Sequence, residues 1–116
     1  MTDHGQADRL YVVTRADLPL GLQAAQAAHA AFEFSIRYPL ITQQWIDSSN
    51  FIVLATTPDE RSLLSLHRQA IDSGLRACLN YEPDVGDTAT ATVIEPGPTA
   101  KRLCRDLPLL GALMPA

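Results

Sequence analysis

The chain has 116 residues, 47% of them apolar and 19% charged, and nine basic against thirteen acidic side chains give a net charge of −4. Six glycines and eight prolines are too few for a collagen-like or disordered chain, and a domain this long buries roughly two-thirds of its unfolded surface, enough for a core without disulfides or metals. No apolar run approaches the roughly 18 residues of a membrane span, and the acidic balance counts against a protein that lives on the phosphate backbone of nucleic acid alone.

The start MTDHGQADR is polar and is not a signal peptide, so residues 1–9 are read as a mobile leader and 10–116 as one domain. The β-branched and aromatic run LYVVT at 10–14 predicts a buried strand. From 21 to 37 the pattern turns helical. Gln23, Gln26, His29, Glu33 and Arg37 recur three or four apart and are expected to form one polar stripe. Ala24, Ala25, Ala28, Ala31, Phe32 and Ile36 on the remaining faces are expected to be buried. Pro39 ends this helix, and 40–46 predicts a short second one anchored by Trp45.

The run FIVLAT at 51–56 predicts a second buried strand. Thr57-Pro58-Asp59-Glu60 supplies a helix cap, a proline at the first helical position and a capping-box glutamate. Leu63, Leu64, Leu66, Ala70 and Ile71 make the expected buried face of the helix that follows, and Gly74 stops it. Strands at 75–81 and 88–94 flank a loop at 82–87. Pro96-Gly97-Pro98 then turns the chain into a short helix capped by Thr99. The apolar tail 107–114 would be an aggregation liability if left free, so it is expected to dock on the domain or on a partner. The order β-α-α-β-α-β-β-α predicts a single three-layer α/β domain, with a mixed sheet of about four strands and helices on both faces.

Most catalytic signatures are absent: there is no Gly-x-Ser-x-Gly elbow, Walker loop or metal-spaced His pair. Cys78 and Cys104 fit neither Cys-x-x-Cys nor a zinc knuckle and are read as reduced thiols of a cytoplasmic protein. His67 lies inside the amphipathic helix and is read as partly packed. Two places could carry chemistry. His29 follows a strand–loop–helix entry, where an imidazole can relay a proton near neutral pH, and Gln26 offers hydrogen bonds one turn away. The bland reading is a solvated helix face. In Asp84-Val85-Gly86-Asp87-Thr88 the glycine permits a tight turn that would bring a carboxylate and a hydroxyl together; the bland reading is an ordinary acidic turn.

Val12-Val13-Thr14-Arg15-Ala16-Asp17-Leu18, then Gly21 and Ala24-Ala25-Gln26-Ala27-Ala28-His29-Ala30, resembles the opening of the second, archaeal and eukaryotic-type family of peptidyl-tRNA hydrolases. That family's motif is a strand ending in Arg-x-Asp-Leu, then Gly-Lys, then Ala-Ala-Gln-x-x-His-Ala. The loop from Asp84 to Thr88 is similar to its Asp-x-Gly-x-Thr. Residues 94–98 resemble its Gly-Pro turn before the last helix, and Leu107-Pro108-Leu109-Leu110 its closing segment. The match is colinear from 10 to 110. Leu22 stands where the family has its lysine, the stretch from Asp17 to Gln26 is about two residues short, and several residues are missing after Thr88.

The resemblance implies hydrolysis of the ester between a peptide and the 3′ end of tRNA, with no cofactor or metal, in a cytoplasmic protein that forms a homodimer and meets no membrane. It implies that His29, Asp84 and Thr88 are catalytic: Asp84 orients the water or the ribose hydroxyl, and His29 assists proton transfer or holds substrate. Thr88 and Gln26 supply hydrogen bonds, and Gln26, Arg15, Asp17, Gly21, Gly86 and Gly97 contact substrate. The alternative is a catalytically silent relative that binds a tRNA end, a small ligand or a protein partner. A positive strip beside His29 and Arg15 favours the enzyme; an acidic or apolar one favours a protein-binding role.

Overall fold

Seven residues, Arg9–Arg15, form β1, and the five inside it, from Leu10 to Thr14, are buried on both faces. Such a strand belongs in the middle of a sheet covered on both sides. The computed structural model describes residues 8–112. The leader expected over 1–9 therefore lies mostly outside the described residues, and its last member, Arg9, already belongs to β1, opposite Phe51.

The sheet has the order β2-β1-β4-β3, with β2 at Phe51–Thr57, β3 at Ala77–Glu82 and β4 at Thr88–Ile94. β1 and β2 are parallel, and β4 runs antiparallel to both β1 and β3. The carboxyl ends of β1, β2 and β3 and the start of β4 thus share one edge of the molecule. Helices α1 (Leu20–Arg37) and α2 (Pro39–Asp47) lie on one face, and α3 (Glu60–Asp72) and α4 (Pro98–Cys104) on the other. This is the three-layer α/β arrangement that the element order predicts.

Each face has its own core. Leu10, Val12, Ala27, Ala30, Phe34, Cys78, Ala91 and Val93 fill the α1 side, where alanines on helix and strand let the backbones approach closely. Tyr11, Val13, Ala55, Leu63, Leu66, Ala89 and Ile94 fill the α3 side. Ala89 and Ala91 would share a face in a regular strand. They do not, because the register shifts between Asn80 and Tyr81: Tyr81 pairs with Ala89, Asn80 with Ala91, and Thr90 is the extra residue of a bulge. Burial pushes the Cys78 thiol up and the Cys104 thiol to about 12, which makes both inert packing residues.

Five local expectations are corrected. The strand expected to be buried over 51–56 is an edge strand, β2, in which Phe51, Ile52 and Leu54 are exposed and only its last three residues, Ala55 to Thr57, are buried. On α1 the buried residues include Gln23 and Gln26, whereas Ala24, Ala25, Ala28, Phe32 and Ile36 are exposed, so the predicted polar stripe is split between core and solvent. Glutamine carries no charge and can be buried when its amide is fully partnered. The cap of α3 is Asp59, whose Oδ1 accepts from the Ser62 N–H at 2.9 Å, and Glu60 reaches across to β4 instead of closing a capping box. Leu64 and Ile71 stay exposed, leaving Leu63, Leu66 and Ala70 as the buried face. Gly97, not Thr99, caps α4, with φ 153°, a conformation that favours glycine.

The apolar tail docks as expected over its described part. The Thr56 N–H donates to Pro108 O at 2.8 Å, and the Leu110 N–H to Leu54 O at 2.9 Å, so the segment lies antiparallel against the outer edge of β2. Leu113 and Met114 lie outside the described residues.

Candidate functional site

The shared edge of the sheet gathers two hydrogen-bonded clusters, one on each face. On the α1 side, Thr14 donates to Gln23 Oε1 at 3.0 Å and Gln23 Nε2 donates to Leu18 O at 2.7 Å. This holds the turn that carries Asp17 into α1. One turn further, Gln26 Oε1 accepts from Asn80 Nδ2 at 2.6 Å and from Thr90 Oγ1 at 2.7 Å, while Gln26 Nε2 donates to Glu82 Oε2 at 3.0 Å. Two donors on its oxygen and one acceptor on its nitrogen fix the orientation of the amide, and one N–H of Nε2 is left over. The β4 bulge is what turns Thr90 towards α1 for this contact.

Glu82 closes the cluster. Its other oxygen, Oε1, accepts from the backbone N–H of Asp84 at 3.1 Å. That bond, with the Gln26 amide next and the nearby His29 helping, holds the Glu82 carboxyl below the usual carboxylate range. His29 itself is exposed on α1. Asp84 is exposed in a single 3-10 turn at Pro83–Val85, followed by Gly86 and Asp87 with φ of 65° and 56°. Two successive residues at positive φ reverse the chain tightly into β4, the geometry for which Gly and Asp are suited.

On the α3 side the centre is Arg15, whose side chain is only 11% exposed. Its guanidinium meets Asp17 through two parallel bonds, Nε to Oδ1 at 3.0 Å and Nη2 to Oδ2 at 2.9 Å. Nη1 donates to Thr88 Oγ1 at 2.9 Å and to Ala89 O at 3.1 Å. Asp17 raises the Arg15 pKa further, against the opposing effect of burial. Thr88 donates in turn to Val85 O at 2.7 Å, and Glu60 Oε2 accepts from the Ala89 N–H at 2.8 Å.

Gln26, Asp84, Thr88, Arg15, Asp17 and Gly86 therefore stand at one edge, with His29 beside Glu82 and Gly21 exposed in the first turn of α1. The tight turn forms, yet Thr88 bonds to Arg15 and Val85 rather than to Asp84. Gly97 belongs elsewhere: β4 ends at Ile94, which pairs with Tyr11 and Ala77 near the opposite ends of β1 and β3, so the chain leaves the sheet far from Arg15. Gln23, Glu60, Asn80, Glu82 and Thr90 are site residues that the sequence reading missed. The available signal was the run Thr88-Ala89-Thr90-Ala91-Thr92, because hydroxyls in a buried strand require partners.

Asp17, Asp59, Glu60, Glu82, Asp84 and Asp87 crowd this edge, and its most buried cation, Arg15, is already engaged by four hydrogen bonds. Beside Asp17 opens a cavity of about 320 Å³ walled by Thr56, Pro58, Leu107 and Pro108. Among the described residues no His, Cys, Asp and Glu group has the make-up of a metal site, and no helix is long and apolar enough to cross a membrane.

No curated protein matches the chain. Among solved structures it is similar to a protein of unknown function from Agrobacterium tumefaciens, with a TM-score of 0.65 and 12% identity, over 89% of this chain and 97% of that one. That likeness shows the fold. The peptidyl-tRNA hydrolase PTH2 family model matches residues 9–110. This span takes in all four strands, the Gln26 and Arg15 clusters and the docked tail, and the chain belongs to the peptidyl-tRNA hydrolase PTH2 family.

Proposed function

We propose that the chain hydrolyses an acyl ester of the peptidyl-tRNA kind at the edge where α1 meets β3 and β4. The observation that carries this reading is the orientation of Gln26, locked by Asn80, Thr90 and Glu82, with one amide N–H left without a protein partner. An aminoacyl ester is activated, so placing a water and stabilising the developing oxyanion supply most of what catalysis requires. The remaining Nε2–H of Gln26 is suited to the oxyanion. His29 moves the proton, and the exposed Asp84 carboxylate accepts a hydrogen bond from the attacking water or from the ribose hydroxyl. Thr88 holds the Asp84 turn to Arg15. The cavity beside Asp17 offers the acyl group apolar walls.

A second reading, a silent relative, is favoured by the charge at this edge. Leu22 brings no cation, Arg15 has four of its N–H donors engaged, and the surrounding carboxylates repel a polyanion. Single-turnover hydrolysis of an N-blocked aminoacyl-tRNA decides between the two. Release of the amino acid by the wild type, with a loss of about 100-fold or more in Asp84→Ala and His29→Ala, is the expected outcome. Binding of tRNA without release establishes the silent relative, and the absence of both removes tRNA from either account.

A further inference from the structure

Between α3 and α4 the surface opens into a groove of about 470 Å³. It shares Thr57, Pro58 and Leu107 with the cavity beside Asp17, so the two form one continuous depression that begins at the candidate site. Two neighbouring rows of α3 line it, Arg61, Ser65 and Gln69 in one and Ser62 and Leu66 in the other. Leu66 is buried, and Leu103 of α4 and Leu107 of the tail pack against the same core, which makes the floor apolar. The polar rim therefore belongs to α3. Arg61, Ser65 and Gln69 stand outside every motif that the family resemblance rests on.

That rim is almost uncharged and has bonding capacity to spare. Ser65 Oγ accepts from Gln69 Nε2 at 3.3 Å, which leaves the Ser65 hydroxyl proton and Gln69 Oε1 free to bond outward. Arg61 is exposed and, among the described residues, makes no ion pair. No carboxylate lines the groove itself.

We propose that this groove receives the acyl chain of the substrate beyond its ester-linked residue, as an extended peptide, and that Arg61 selects an acidic side chain at the second residue from the ester. The direction of the chain rests on the hydrolytic reading above. An apolar floor with a few neutral donors and acceptors is the lining that suits a peptide, whose backbone offers neutral N–H and C=O groups in alternation. A nucleic-acid strand calls for a series of cations and for aromatic platforms, and the groove has one cation and no aromatic side chain.

Length and charge agree with this occupant. Arg61 to Gln69 is eight residues of helix, about 12 Å. At about 3.3 Å per residue that is the length of three to four extended residues. Arg61 comes three residues after Pro58, where the groove leaves the cavity, so it stands about one extended residue beyond the ester-linked one. It also lies in the first turn of α3, where the helix end adds to the attraction for a carboxylate beyond what the Asp59 cap takes up.

The test titrates the isotope-labelled full chain with N-acetylated tetrapeptide amides, followed by two-dimensional NMR. The peptides carry Glu, Gln or Lys at the second position from the carboxyl end. Backbone signals of Arg61, Ser65 and Gln69 should shift, and the Glu peptide should bind about five-fold more tightly than the Lys peptide. Arg61→Glu should invert that order. Ser65→Trp, which fills the groove, should weaken every peptide by about ten-fold or more. Both side chains are exposed, so circular dichroism should be unchanged in each variant. For hydrolysis, kcat/KM for an N-acetyl-tetrapeptidyl-tRNA should exceed that for an N-acetylaminoacyl-tRNA by about ten-fold, and Ser65→Trp should bring the ratio to about one. Equal binding of the three peptides, or shifts confined to other surfaces, overturns the proposal. So does an Arg61→Glu variant that loses tRNA binding while its order of peptides stays that of the wild type, because the groove then holds nucleic acid. Selective peptide binding in a chain that cleaves neither substrate removes the hydrolytic reading and keeps the peptide groove.

Discussion

Gln26 shows how much one side chain can carry when it is buried and fully bonded. Its amide connects α1 to β3 through Asn80 and Glu82 and to β4 through Thr90. Gln26→Leu keeps the volume and removes every one of these bonds, leaving buried donors poorly partnered. The expected cost is about 1–3 kcal/mol in urea unfolding, as reported by far-UV circular dichroism. His67 gives a second test at this scale. Its Nδ1 lies 2.9 Å from Thr92 Oγ1, and burial holds its pKa below the ordinary imidazole range. As pH falls, the unfolded chain therefore takes the proton before the folded one does. Stability is fully present above the unfolded value of about 6.5 and is lost as pH falls through the lower folded value. Melting temperature should drop between pH 7 and 5, and His67→Gln should flatten that part of the profile.

At the scale of elements, the boundaries were the more legible part, and the direction each face turns was the less. The strands at 10–14, 51–56 and 88–94 stood out because β-branched and apolar runs in a small domain have only a sheet to go to. α1 shows the limit. A three-to-four spacing says that Gln23, Gln26 and His29 share a side, but not whether that side meets water. Here the hydroxyls of Thr14 and Thr90 and the amide of Asn80 wait beneath it, on strands distant in sequence, and so the glutamines turn inward. The cap of α3 differs for a related reason: Glu60 has a longer-range partner in the Ala89 N–H, which lies beyond the end of the β1–β4 pairing at Thr14 and Ala91. The tail offers the test at this scale. Removing residues 107–116 uncovers the edge of β2, where Phe51, Ile52 and Leu54 are already 45%, 49% and 37% exposed. An unprotected apolar edge pairs with other chains. Light scattering at 37 °C should rise for the truncated chain and stay flat for the full one.

For the whole molecule, fold class and family were readable because element order and the motif around Gln26 and Asp84 are local in sequence. The balance of charge at the site was not, since it depends on which loops the topology brings to one edge. Asp17, Asp59, Glu60, Glu82 and Asp87 come from three separate connections, and only the sheet order places them together. The strand that completes that edge has a peculiarity of composition. Thr88-Ala89-Thr90-Ala91-Thr92 is a near-repeat of two residues, so sliding β4 by two positions would present almost the same side chains to both cores. Packing alone distinguishes such alignments weakly. Polar contacts distinguish them sharply: Arg15 grips Thr88 at one end, Gln26 grips Thr90 at the bulge and His67 meets Thr92 beyond it. The hydrogen bonds of the site thereby act as an indexing device for the strand, and a substitution there changes which alignment the chain selects as well as the strength of the one it has.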